Sequence, residues 1–187
     1  MKQIVPFTVI LFAMSFPACK SKDAQKKEAF FPVLSFVRSQ VAHVDTSFYQ
    51  ITKLTSVDST WDTAYIKREE FRNYAVDFLQ LPDLADKQFA AEYDESKFFD
   101  ASLNRVIITY TSKNKELEIQ REEVMIEPNS ETGDKVRNII VDKFINTKDS
   151  SVTKRMLWNV DESFQVTTIV QKKGGEDATA NMKVRWQ

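Results

Sequence analysis

Met182-Lys183-Val184-Arg185-Trp186-Gln187, the last six residues of the chain, decide the fold. Apolar and polar side chains alternate there without a slip, and a side-chain period of two belongs to a β-strand. The strand has a dry face of Met182, Val184 and Trp186 and a wet face of Lys183, Arg185 and Gln187. One wet face is the mark of an antiparallel sheet, because parallel sheets are covered on both sides.

Reading backward, Phe164 to Val170, Val152 to Val160 and Val136 to Ile145 give three more strands. They are separated by the polar breaks Lys173 to Asp177, Asp161-Glu162 and Asn146 to Ser151. A turn, Pro128-Asn129-Ser130 to Gly133-Asp134, precedes them. Before it, Val106, Ile108 and Tyr110 alternate with Ile107 and Thr109. Leu117 and Ile119 keep one phase, and Val124 and Ile126 resume in the other. Faces of period two exchange only through an extra residue, so this slip predicts a bulge near Arg121 to Glu123. Consecutive short strands with polar breaks describe a meander.

The first half of the chain reads differently. Phe30, Leu34, Val37, Val41 and Val44 recur at steps of four and three, which predicts an amphipathic helix from Glu28 to Val44 with Pro32 in its first turn. Phe48 to Thr55 and Thr63 to Lys67 read as a hairpin around Ser56 to Asp62. Helical spacing returns from Glu69 to Leu79 and stops at Leu81-Pro82-Asp83. Residues 84 to 100 are ambiguous: Leu84 to Phe89 fits a short helix, and Phe98-Phe99 a buried anchor. The expected fold class is α+β: a curved antiparallel sheet, with a long N-terminal helix packed on one face, in a cystatin-like or half-barrel-like outline.

The leader concerns address. Met1-Lys2-Gln3 carries one positive charge, and the apolar run Ile4 to Met14 follows, interrupted by Pro6. That is the pattern of a secretory signal peptide, and it is shorter than the roughly 20 apolar residues of a membrane span. Ser15-Phe16-Pro17-Ala18-Cys19 then resembles a lipobox, with Ala18 before the cut and Cys19 as the thiol that takes the lipid. Phe16 and Pro17 depart from the commonest residues of that pattern. Lys20 to Lys27 is a basic, solvated tether. Lys20 stands where an acidic residue would look like an inner-membrane retention signal, which implies an outer-membrane anchor facing the periplasm. The expected organisation is therefore signal peptide 1–18, lipidated flexible tether 19–27 and a single domain 28–187.

Cleavage after Ala18 leaves 25 Lys+Arg against 27 Asp+Glu, a net charge of −2. A near-neutral domain argues against nucleic acid as a partner. It also leaves no cysteine in the folded part, so the domain stands on its hydrophobic core without disulfides.

Motifs for catalysis are sparse. His43 is the only histidine and reads as a surface or helix-end residue. The three glycines, Gly133, Gly174 and Gly175, fall in turns, so no phosphate-cradling loop is expected. Neither a metal site nor a cofactor is expected. Paired carboxylates can cleave a glycosidic bond without histidine or metal. The adjacent pairs Glu69/Glu70, Asp94/Glu95 and Glu122/Glu123 read instead as solvated surface. Trp158 and Trp186 lie in alternating strands and read as core. Trp61 falls in the expected hairpin tip, Ser59-Thr60-Trp61-Asp62, where an aromatic is placed to touch a partner.

Phe30-Phe31-Pro32-Val33, Trp61 ahead of Tyr65-Ile66-Lys67-Arg68-Glu69, and the closing strands resemble a group of small uncharacterised lipoproteins of Bacteroidetes-type Gram-negatives. That resemblance implies an envelope location and a lipid anchor, and carries no activity. The leading expectation is a lipid-anchored envelope protein with a non-enzymatic binding or structural role, partnered by the membrane and by another envelope component. Two alternatives stand beside it: a periplasmic carrier of a lipid or other apolar ligand, and an acid-pair hydrolase.

Overall fold

The computed structural model describes residues 29–57, 60–129 and 131–187. The expected signal peptide, with Ala18 and Cys19, and the expected tether lie outside the described residues.

Within these residues nine strands form one antiparallel sheet. In chain order they are β1 (Ile51–Val57), β2 (Thr60–Tyr65), β3 (Tyr93–Asp100), β4 (Arg105–Ser112), β5 (Ile119–Glu127), β6 (Lys135–Asn146), β7 (Ser150–Asn159), β8 (Ser163–Lys172) and β9 (Ala178–Trp186). Their order across the sheet is β2-β1-β9-β8-β7-β6-β5-β4-β3. From β3 to β9 each strand pairs with the next, which is the expected meander. β1 then pairs with β9, with Ile51 opposite Trp186 and Leu54 opposite Lys183, so the start of the domain is zipped onto its end. β2 and β3 are the two edges, and the sheet is not closed.

The helical segments are short. α1 (Val33–Thr46) is followed by a 3-10 turn (Arg68–Glu70), then α2 (Phe71–Tyr74), α3 (Val76–Leu79) and α4 (Lys87–Ala90). α1 begins later than the expected Glu28, because Pro32 stands at its N-cap, where the missing N–H costs nothing. Phe30 stays outside the helix and stacks on Tyr110 at 4.3 Å between ring centres. The segment from Glu69 to Leu79 is broken at Ala75 between α2 and α3. The layer beside the sheet is therefore a composite of α1 and single turns, which corrects the expected long N-terminal helix.

One face of the sheet is dry. Val33, Val37, Val41 and Val44 of α1 share a single core with Ile139, Val141, Met156, Trp158, Phe164 and Val184 of the strands. At its centre Phe78 meets Trp158 edge-on at 5.1 Å, and Phe71 meets Trp186 edge-on at 5.2 Å. Trp158 stacks on Phe164 at 5.3 Å. Lys154 Nζ also donates to Asp77 Oδ1 at 2.6 Å, tying α3 to β7.

Three local readings change. Phe98 and Phe99, expected as a buried anchor, lie in edge strand β3 at 63% and 51% exposure, because no further strand or helix among the described residues covers that edge. Trp61, expected in a hairpin tip, is the second residue of β2 and pairs with Ser56, because β1 runs on to Val57. The slip in β5 occurs against β6, as register shifts between Ile119 and Arg121 and between Met125 and Ile126.

Replacing Phe78 by Ala removes the ring that joins α3 to Trp158 and Phe164. Urea unfolding should show a loss of about 3–5 kcal/mol, the usual cost of deleting a fully buried phenyl ring.

Candidate functional site

Among the described residues no helix covers the face opposite the core, and its chemistry is uneven. Across β5, β6 and β7 its charges are paired. Arg121 lies 3.0 Å from Glu123 and 3.1 Å from Asp142, and Arg155 lies 3.8 Å from Asp142. Thr109 Oγ1 donates to Glu123 at 3.3 Å. Such a lattice of opposite charges on neighbouring strands is what a solvated sheet face needs.

Toward the other edge the pairing stops. The register places Tyr65 opposite Thr52 and Thr52 opposite Arg185, then Thr63 opposite Leu54 and Leu54 opposite Lys183. In the next row outward Trp61 is opposite Ser56 and Ser56 opposite Asn181. Alternation puts all of these on the wet face. The result is a trench along β1 with a low floor of Thr52, Leu54 and Ser56. Its outer wall carries the aromatic rings of β2, and its inner wall the basic side chains of β9. A cleft of about 310 Å³ occupies its upper end, lined by Gln50, Thr52, Leu54, Thr63, Arg185, Trp186 and Gln187.

Trp61 is 58% exposed and Tyr65 75% exposed, whereas Trp158 and Trp186 are buried. Neither Lys183 nor Arg185 has an ion-pair partner among the described residues. No aspartate or glutamate side chain lines the cleft. Of these residues the sequence singles out Trp61 as the one placed to touch a partner. Tyr65, Lys183 and Arg185 join it only because β1, β2 and β9 are neighbours.

No protein-family model, no curated protein and no solved structure matches this sequence.

The acid pairs are separated by the fold. Glu122 faces the core and Glu123 the solvent, as neighbouring residues of a strand must. Asp94 and Glu95 likewise alternate on β3, where Lys97 and Lys113 pair with them. Glu69 and Glu70 belong to the 3-10 turn, and Glu70 Oε2 accepts the Lys67 N–H at 3.2 Å. His43 is exposed beside Tyr49, its ring 5.9 Å from the phenol.

Glu122 departs from the expected solvated surface. It is 1% exposed, stands between Tyr110 and Val141, and its Oε1 has no hydrogen-bond partner. Burial pushes its carboxyl up to about 8, and the negative charge of Asp83 adds to the effect. Two phenols sit close by. Tyr93 donates its O–H to the Ile119 carbonyl at 2.9 Å, and the Tyr110 hydroxyl accepts the Phe31 N–H at 2.8 Å. Burial raises both phenols to about 12, and the Glu122 charge contributes. The carboxyl is thus held as the neutral acid at neutral pH, which makes it a packing group rather than a charge-bearing one.

Because Glu122 holds its proton more tightly when folded, its contribution to stability is complete below about pH 4.5 and is lost as pH rises through about 8. Wild-type melting temperature should fall across that window. Glu122→Gln should flatten the fall and melt higher at alkaline pH, by about 2–4 °C for each kcal/mol recovered. Acrylamide quenching should find one accessible and two shielded tryptophans, and Trp61→Phe should remove the accessible component alone.

Proposed function

We propose that this chain is a lipid-anchored protein of the cell envelope whose domain works by binding. The observation that carries the reading is the open trench on the uncovered face, where exposed rings and unpaired cations stand together. Exposed aromatic side chains on a rigid strand, beside charges that nothing in the domain neutralises, are how a binding surface is built. The domain offers no convergent pair of exposed carboxylates among the sequence-predicted candidates, so the acid-pair hydrolase falls behind.

The lipobox-like Ser15 to Cys19 and the basic tether support the anchor, and Lys20 supports an outer-membrane position facing the periplasm. The resemblance to small lipoproteins of Bacteroidetes-type Gram-negatives accords with both. The half-barrel-like outline belongs to the same reading, since an open antiparallel sheet with helices on one side leaves the other side free for a partner. The carrier alternative draws less support: Ile108 of β4 and Ile139 and Val141 of β6 are taken up in the packed core.

Expression of the full-length chain in a Gram-negative host with a clickable palmitate should label the wild type and leave Cys19→Ala unlabelled. Equal labelling of both, or of neither, would remove the anchor.

A further inference from the structure

We infer that the trench along β1 is a binding site for an acidic saccharide chain, an inference that rests on the binding role proposed above and names its ligand class. Each part of the trench selects for one property of such a ligand. Strands lie about 4.8 Å apart, so the walls on β2 and β9 are separated by about 10 Å. That leaves room for a flat ring over the floor of Thr52 and Leu54. Trp61 and Tyr65 are four residues apart on one side of β2, about 14 Å along the strand. Two rings at that separation engage two units of an extended polymer rather than one compact molecule.

The polar groups set the charge and the hydrogen bonding. Arg185 and Lys183 are alternate residues of β9 on the trench side, and neither is met by a carboxylate among the described residues. Every arginine across β5 to β7 on the same face has an acid within 4 Å, so the unpaired cations are confined to the trench. An anionic ligand completes them, and a guanidinium is the side chain best shaped for a carboxylate or sulfate. Around them Gln50, Thr52, Thr63 and Gln187 supply amides and hydroxyls that both donate and accept, as a ligand rich in hydroxyls requires.

The place on the sheet excludes a peptide added as a strand. The backbone groups of β1 pair with β2 and β9, so recognition on this face falls to side chains. Single-stranded nucleic acid also stacks on aromatic rings beside cations. The near-neutral domain lacks the basic field that tracking a phosphate backbone needs.

The test is affinity electrophoresis of the protein made from its full sequence, in native gels containing polygalacturonate, heparin or a neutral β-glucan. Retardation by polygalacturonate or heparin is expected, and the two gels tell a carboxylate ligand from a sulfated one. Trp61→Ala and Arg185→Ala should each weaken retardation about tenfold, and Phe98→Ala, at the far edge of the same face, should leave it unchanged. Matching circular dichroism spectra keep a folding defect from imitating the loss. The inference is overturned by retardation in none of the acidic gels, by retardation that survives both trench variants, or by binding of an oligonucleotide alone. Palmitate labelling is read separately: label without retardation removes the saccharide and keeps the anchor, and retardation without label does the reverse.

Discussion

The molecule depends on the meeting of two strands from opposite ends of the chain. β1 pairs along its whole length with Ala180 to Trp186 of β9, and everything else follows from that ladder. It brings Trp186 beside Phe71 at the centre of the core, and it sets Leu54 between Thr63 and Lys183 on the opposite face. One register thus fixes a dry surface and a wet one together, since a shift by a single residue would turn Trp186 out and Arg185 in. The aromatic cluster of Phe71, Phe78, Trp158, Phe164 and Trp186 specifies that register, because no other phase buries both tryptophans.

An open sheet of this size has to manage its edges. β3 does so with charge: Asp94, Glu95, Lys97 and Asp100 break up the tyrosine and phenylalanines of the strand. β2 is short and carries Asp62, yet it keeps Trp61 and Tyr65 in water. Phe98 is likewise exposed on the same face at the opposite edge, so exposed rings mark both edges. Between them β5 to β7 are laid out in opposite-charge pairs.

Much of this fold is legible in the sequence where the pattern is local. The stripe Leu34, Val37, Val41 and Val44 of α1 is buried as its spacing requires, and the strict alternation of Val184 and Trp186 with Lys183 and Arg185 assigns both faces of β9. β3 is hard to read because an edge strand is wetted on both sides, so Phe98 and Phe99 obey no alternation. The break at Ala75 lets Phe71 reach Trp186 and Phe78 reach Trp158 while both meet Phe164, which propensity does not encode. Glu122 is hidden for a related reason. Its neighbours Arg121 and Glu123 are surface residues, and only the pairing of β5 with β4 and β6 sets it among buried Tyr110 and Val141. The trench is the least legible part, since it is assembled from residues more than a hundred positions apart.

The entry of the chain into the domain lies far from the trench. Phe30 and Phe31 are held against Tyr110 on β4, while the aromatic wall is on β2 at the other end of the strand order. Between β4 and β1 lie six strand spacings, roughly 30 Å. On the anchor proposed above, the domain would be a cantilever. Its fixed end would be the β4 side, and the trench would sit at the tip, reaching the space beyond the surface that carries the anchor.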